Sequence, residues 1–563
     1  MREVDFDEGL LKIKFTAFGT EFSDLLNLVK SFPGRLYMPD LKYWTAPPIK
    51  KTVQILKESQ FVFTQNARSL LLNDFVKPET QSISGLSEKQ KEKLKGFRDY
   101  QIEGVQFLER RNGFGGVFDQ MGLGKTIQAI GYAKIHPEIR PLLVVCPASV
   151  KLKWMREIIK WTGERVEILS GKTPVVENLM FKADWYVINY DILAKETKEI
   201  GKNGKEALIL EGWFETLIGI GIKGVIGDEV QYVSNQKAIR TKAFKRIVRK
   251  CKELFIPLSG TPLRNRPAEF FTILNLLDNN TFANHWSYLN RYCNPKYNGF
   301  GWTFSGATNI EELHELVAPL MIRRLKKNVL KDLPPKQKIV IPMELHIKDA
   351  KQYEKEEKDF ELFVQSENNS IDEDNHIEHL KQAAYAAKRE SVINWIKEFL
   401  ESGEKLLVAA WHRKVVDEIQ SIFKDSDGAV KIYGGVNANN RQIAVDKFQN
   451  DPKCKLLICH PDSVIGQDLF SAYAGAVIEF PHTPADCEQF EDRLHRMGQK
   501  NPVTIYYLVA DGTIENHIME YLEQKYDVVS GILDGDVQGS LFNGGREDLR
   551  KGLIEIYRRR SHK

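Results

Sequence analysis

Short apolar runs that end in glycine or polar residues recur along this chain, alternating with longer stretches whose apolar residues fall at helical spacing. From about residue 95 the runs VFDQMGLGKT, PLLVVCPAS, WYVINYD, KGVIGDE and LFIPLSGT follow one another. This alternation predicts a parallel sheet flanked by helices, with the chemistry in loops at the strand C-termini. A charged, mostly helical stretch over roughly 340–400 interrupts it, after which KLLVAAWH, AVKIYGG, KLLICHPD, GAVIEFPH and VTIYYLVA resume the pattern. The expected fold class is therefore α/β, with two parallel-sheet lobes joined by a helical insert.

The first 75 or so residues follow a different rhythm. LKIKFTAF alternates like a strand, while EFSDLLNLVKSF and IKKTVQILKES have the spacing of amphipathic helices. Between them, GRLYMPDLKYWTAPP places turn residues around short aromatic strands. The expected organisation is a small α+β module over 1–75, a polar linker over 76–94 and a first lobe over 95–335. A helical insert over 336–400, a second lobe over 401–530 and a basic tail over 531–563 complete it.

Composition changes this picture little. At 563 residues the chain is too long for one hydrophobic core. No apolar run approaches the roughly 20 residues needed to span a bilayer, and MREVDFDEGLLKIKF lacks the order of a secretory signal. No membrane partner is expected. Six cysteines without metal-ligand spacing suggest free thiols in a reducing interior. A net charge of +4 neither demands nor excludes nucleic acid.

The chemistry concentrates at two motifs. MGLGKT, residues 121–126, stands between an apparent strand and a helix, where backbone N–H groups of a glycine loop can wrap phosphate oxygens. Gly122 and Gly124 would shape that loop, Lys125 would reach the β- and γ-phosphates of ATP, and Thr126 would ligate Mg²⁺. The generic phosphate loop has glycine where this chain has Asp119, so alone the motif also fits a chance glycine turn. GVIGDEV then delivers Asp228 to hold Mg²⁺ and Glu229 to orient or deprotonate the attacking water. An acidic pair after a strand is by itself more often a helix cap; the two motifs on one sheet favour the nucleotide site.

FRDYQIEGVQFL, DQMGLGKT, DEVQYVSNQKAIR, SGTPLRNRPAEFF and QFEDRLHRMGQ occur in this order and resemble the motifs of Swi/Snf-type ATPases of helicase superfamily two, over about residues 95–520. The resemblance implies two RecA-like lobes that grip double-stranded DNA and step as ATP opens and closes the cleft. It further implies that Gln101 reads adenine, that Gln231, Ser259, Gly260 and Thr261 couple hydrolysis to lobe movement, and that Arg493 and Arg496 reach the γ-phosphate. Ser149, Asn189, Tyr190 and Gly466 fall in segments that resemble strand-contacting motifs, although Tyr190 fits a packed strand-end aromatic equally well. Gln120 replaces a customary glutamate, Val230-Gln231 replaces Ala-His, and SVIGQDLFSAY departs from the usual glycine-rich motif, keeping only Gly466 and Asp468.

FSDLLNLVKSFPGRLYMPDLKYWTAPP is similar to the HARP module of annealing helicases and their bacterial and phage relatives, through Arg35, Tyr37 and Trp44. That similarity implies a module acting on branched or forked DNA, with Tyr37 and Trp44 either stacking on bases or filling the module's own core. The expected protein is an ATP-dependent double-stranded DNA translocase that remodels forks, acting as a monomer with unassigned protein partners. A cytoplasmic setting follows for a bacterial, archaeal or viral source, and a nuclear one for a eukaryotic source. A nucleosome or polymerase remodelling motor and a non-hydrolysing DNA clamp on a decayed motor are the alternatives.

Overall fold

The computed structural model describes residues 2–534 apart from 8–9, 40, 73–85, 175–182, 201–205, 265, 298–301, 305, 366–372, 465–468 and 482. The expected tail beyond 534, and Gly466 with Asp468, lie outside the described residues.

The amino-terminal module is a five-stranded sheet under two main helices, Gly19–Lys30 and Lys50–Glu58. Alternation in the strand Leu10–Phe15 turns Leu11 and Ile13 inward, where they meet Leu25, Val29, Val53 and Leu56 from the apolar helix faces. Tyr37 and Trp44 are cross-strand partners with ring centroids 5.0 Å apart. Trp44 packs against the module's core, whereas Tyr37 is exposed. Only the tryptophan therefore fits the core-filling reading.

The first lobe carries a seven-stranded parallel sheet in the order Met321–Ile322, Gly116–Val117, Leu254–Leu258, Gly224–Asp228, Leu142–Cys146, Trp185–Asn189, Val166–Ile168. Its central strands are apolar on both faces. Leu142, Val144 and Cys146 enter one core layer and Leu143 and Val145 the other, as the two-residue period of a strand requires. Residues of both parities must therefore be hydrophobic, which is why these segments read as continuous apolar runs.

The second lobe is a six-stranded parallel sheet in the order Lys336–Met343, Val503–Ala510, Ala474–Val477, Leu406–Ala409, Leu456–Cys459, Val430–Ile432. Here the structure corrects the expected connector over 336–400. It opens with the edge strand Lys336–Met343, paired along its whole length to Val503–Ala510. The helices Ile347–Gln365 and Glu373–Glu401 follow and pack onto the second lobe, burying Phe360, Ile377, Leu380 and Ala384 in its core. Alternating Lys and Gln in KQKIVIPM suits an exposed edge strand, so hydropathy alone hides it.

The helix Ile514–Asp534 ties the lobes together. Ile514, Ile518 and Leu522 lie in the second-lobe core, while Ile532 and Leu533 lie in the first-lobe core. Near its end, Asp534 pairs with Arg323 at 2.6 Å. Among the described residues no helix is long and apolar enough to cross a membrane. The six cysteines are buried and unpaired.

Candidate nucleotide site

Gly122 and Gly124 have φ of 87° and 75°, a left-handed backbone that a side chain would strain, and the helix Lys125–Ile135 begins immediately after them. A Cβ on Gly124 would collide with the Gln101 amide, and one on Gly122 would lie 3.2 Å from the Arg496 Cβ. The loop thus leaves its backbone bare between a glutamine of the first lobe and an arginine of the second. Gln101 is buried, accepts from the Arg98 N–H at 3.1 Å and donates to the Leu123 carbonyl at 3.4 Å.

Lys125 donates from Nζ to the Asp119 carbonyl at 2.9 Å. Burial lowers its pKa against the opposing pull of Glu229, Asp119 and Asp228. Asp119, fully buried where a phosphate loop usually has glycine, is clamped by Arg324, whose Nη2 lies 2.6 Å from Oδ2, and by the Gln128 amide at 2.8 Å. Gln120 accepts from the Lys326 N–H at 2.8 Å and donates its own N–H to the Arg324 carbonyl at 2.9 Å. The unusual Asp-Gln pair thereby fastens the phosphate loop to the segment that leaves the first lobe.

Asp228 ends its strand facing this loop and accepts from Trp154 Nε1 at 2.7 Å. Burial and the neighbouring Glu229 push its pKa up to about 6, against the Trp154 hydrogen bond and Lys125. Carboxylates crowded this way near a lysine are a group a divalent cation would relieve. Glu229 has φ of 53°, a strained geometry for a non-glycine residue at a strand end. From Glu229 a continuous chain of hydrogen bonds runs into the next loop. Gln231 Nε2 donates to Glu229 Oε2 at 2.7 Å, Ser259 Oγ donates to Gln231 Oε1 at 2.7 Å, and the Thr261 N–H donates to Ser259 Oγ at 2.9 Å. A Gly260 Cβ would sit 3.4 Å from Lys125 Nζ, so this loop closes over the phosphate-side lysine.

The helix Pro484–Leu494 of the second lobe brings Arg493 across the cleft, its Nη2 donating to Met121 Sδ at 3.8 Å. Lys326 and Asp492 form a fully buried ion pair between the lobes at 2.8 Å, and Lys326 also donates to the His495 carbonyl. Burial pulls the Lys326 pKa down to about 8, against the attraction of Asp492.

Of the residues expected to serve the nucleotide, Gln101, Gly122, Gly124, Lys125, Thr126, Asp228, Glu229, Gln231, Ser259, Gly260, Thr261, Arg493 and Arg496 fall on this cleft or on loops that line it. Bare backbone N–H groups at a helix start, one buried lysine and oxygen donors from Asp228 and Thr126 suit a Mg²⁺–nucleotide. Trp154, Arg324 and Lys326 were not singled out from sequence. Their signals were CPASVKLKW and the basic run IRRLKKN, which reads equally well as a solvated surface.

The expected DNA contacts fare differently. Tyr190 is buried, stacked on Tyr232 at 5.5 Å, and its hydroxyl donates to the Asp228 carbonyl at 2.8 Å. Asn189 is buried as well. Asn189 ends an interior strand and Tyr190 opens the turn that follows it, so Tyr190 takes the packed strand-end role and braces the acidic loop. Ser149 is exposed on the short helical turn Ala148–Val150.

The SNF2-related domain model matches residues 100–384, and the helicase conserved C-terminal domain model matches 388–498. The human DNA annealing helicase and endonuclease ZRANB3 is 32% identical over 450 residues, 77% of this chain and 40% of that protein. A Caenorhabditis elegans homolog of the SWI/SNF-related matrix-associated actin-dependent regulator of chromatin subfamily A-like protein 1 is 29% identical over 546 residues, 93% of this chain and 74% of its own length. The chain spans about two fifths of the length of the first curated relatives it matches. A solved Sulfolobus solfataricus SWI2/SNF2 ATPase core in complex with dsDNA is 24% identical, covering 81% of this chain and 96% of that one, with a TM-score of 0.35.

Proposed function

The chain belongs to the family defined by the SNF2-related domain, and on that premise we propose that it is a DNA-dependent ATPase that translocates on double-stranded DNA and remodels branched or forked substrates. One observation carries the reading: the phosphate loop, the acidic strand end and an arginine of the second lobe converge on one cleft, so hydrolysis and lobe closure share a single structure.

In this reading Lys125 and the loop N–H groups bind the terminal phosphates, while Glu229 orients the water and takes its proton. Thr126 and Asp228 would hold Mg²⁺, which neutralises phosphate charge when bound. Arg493 and Arg496 meet the negative charge that develops on the transferring phosphoryl oxygens, worth several orders of magnitude in rate when correctly placed. The chain Glu229–Gln231–Ser259–Thr261 passes the state of the γ-phosphate to the loop that closes on it. Closure then moves the second lobe, whose grip on the DNA backbone is sequence-independent. The names of the relatives, annealing helicases among them, support a substrate whose DNA strands are annealed; a fork is such a substrate, and the amino-terminal module is proposed as the HARP-like part that engages it.

The test is steady-state ATP hydrolysis without nucleic acid and with single strand, duplex, forked DNA and RNA at one salt concentration. Strong stimulation by duplex and fork, with little by RNA, is expected. A flat, near-zero rate on every substrate would replace this reading with the non-hydrolysing clamp.

A further inference from the structure

Away from the nucleotide cleft, a gap of about 930 Å³ runs along the seam between the amino-terminal module and the first lobe. Asn280, Asn284, Asn290 and Asn294 line its lobe side, opposite Arg35 and Lys30 of the module. Arg35 is exposed and donates to the Phe32 carbonyl at 3.0 Å, with no carboxylate partner among the described residues. Across the gap Arg291 pairs with the buried carboxylate of Glu312 and donates to the Ser31 carbonyl at 3.0 Å. Partial burial, and after it the Arg291 charge, pull the Arg35 pKa below the ordinary arginine value. Among the described residues the seam thus holds a cation with no carboxylate partner, beside amide side chains that both donate and accept.

A second feature adjoins it. The helix His285–Tyr292 lines the seam with Asn290 and Arg291, and one turn earlier presents Trp286 to solvent at 51% exposure. Trp286 meets Trp302 edge-to-face with centroids 6.4 Å apart, and Trp302 meets Tyr297 at 5.6 Å across the hairpin formed by Lys296–Tyr297 and Trp302–Thr303. Trp302 and Tyr297 are 53% and 62% exposed. Leaving three large rings clustered in water forgoes burial that would stabilise the fold, and such clusters mark contact surfaces.

An exposed cation with amide side chains beside an exposed aromatic platform is the combination that binds unpaired nucleotides: charge for phosphate, rings for any base. We propose that this seam and platform form a path for single-stranded DNA, with Arg35 holding a backbone phosphate and Trp286 and Trp302 stacking on bases. The proposal deepens the fork-remodelling reading and rests on it: the duplex would feed the lobes while an unpaired arm lies along the seam.

The test is fluorescence anisotropy on the full chain with a labelled oligodeoxythymidylate, and in parallel with a blunt duplex of equal length. The variants are W286A/W302A and, separately, R35A, with thermal melting as the folding control. Each variant is expected to weaken oligonucleotide binding about tenfold or more, as loss of base stacking or of a phosphate contact would, while duplex binding and duplex-stimulated ATPase change less than about twofold. R35K is expected to recover part of the loss. Unchanged oligonucleotide binding, or equal losses on oligonucleotide and duplex, overturns the proposal, as does a change in self-association that accounts for the effect of the tryptophans. Failure of the wild type to respond to any DNA in the ATPase assay sinks the fork reading instead, and that outcome is read independently of oligonucleotide affinity.

Discussion

Lys125 and Glu229 sit on loops of one sheet, with the strand Leu254–Leu258 between their strands, and are proposed to divide the labour of binding and hydrolysis. Lys125→Ala is expected to abolish turnover, because no other cation of the loop replaces a lysine whose Nζ lies beside the phosphate-side backbone. Glu229→Gln should still bind ATP while hydrolysing it about 100-fold or more slowly, since an amide orients water but does not accept its proton. Steady-state hydrolysis together with nucleotide binding distinguishes the two, and wild-type turnover in either variant would refute the assignment. Gln231 makes a narrower point. It bridges Glu229 and Ser259 through opposite ends of one amide. Gln231→Ala should leave basal ATPase largely intact and lower its stimulation by duplex; a preserved stimulation ratio would remove the bridge from the coupling path.

At the scale of elements, the insert helix Glu373–Glu401 is pinned to the second sheet through His412. Its Nδ1 lies 2.6 Å from Glu479 and its Nε2 3.3 Å from Glu378 on that helix. Those two hydrogen bonds raise the His412 pKa to about 9. A histidine stabilised in its charged form contributes stability in full below its unfolded value near 6.5, and loses it as pH rises through about 9. Solvent screening at this part-buried site holds the effect to about 1–2 kcal/mol. Urea unfolding of the second lobe should show His412→Phe destabilised at pH 6 and close to wild type near pH 10; a gap that does not narrow with pH would discount the histidine's charge. The Lys326–Asp492 pair makes a sharper case between lobes. Lys326→Met strands a buried carboxylate and should weaken lobe closure by about 3 kcal/mol, whereas K326M/D492L replaces both charges and should recover much of it. Interlobe energy transfer between site-specific dyes with and without nucleotide reads the difference, and equal behaviour of single and double variants would reject the latch.

For the whole molecule, the amino-terminal module docks on the first lobe through a few polar contacts, among them the Lys50 N–H to Glu315 at 2.9 Å and Arg291 to the Ser31 carbonyl. Ile49 enters the first lobe's core while the rest of the module keeps its own. A chain lacking residues 1–72 should therefore retain most of its duplex-stimulated ATPase and lose activity on forks. Strand annealing on a forked substrate measures this, and undiminished fork activity would withdraw the role proposed for the module. The lobes, by contrast, share the buried latch, Arg493 and the helix Ile514–Asp534, so neither is expected to hydrolyse ATP alone.

The sequence by itself determined the two parallel sheets and the local patterns from which a phosphate cleft is proposed. Buried parallel strands must be apolar on both faces, and a loop that wraps phosphate must combine glycine, lysine and a hydroxyl within one turn; both are local demands that leave local patterns. Tyr190 shows where that ends: its motif was legible, but its packing into the core depended on Tyr232 and Phe244 arriving from elsewhere in the chain. The edge strand Lys336–Met343 was hidden because one partner and an open side impose little hydrophobic pattern. Arg324 on Asp119, Lys326 on Asp492 and the seam between Arg35 and Trp286 were decided by tertiary structure alone. Each joins residues distant in the chain, and the value of a charge or ring there is set by what stands opposite it after folding.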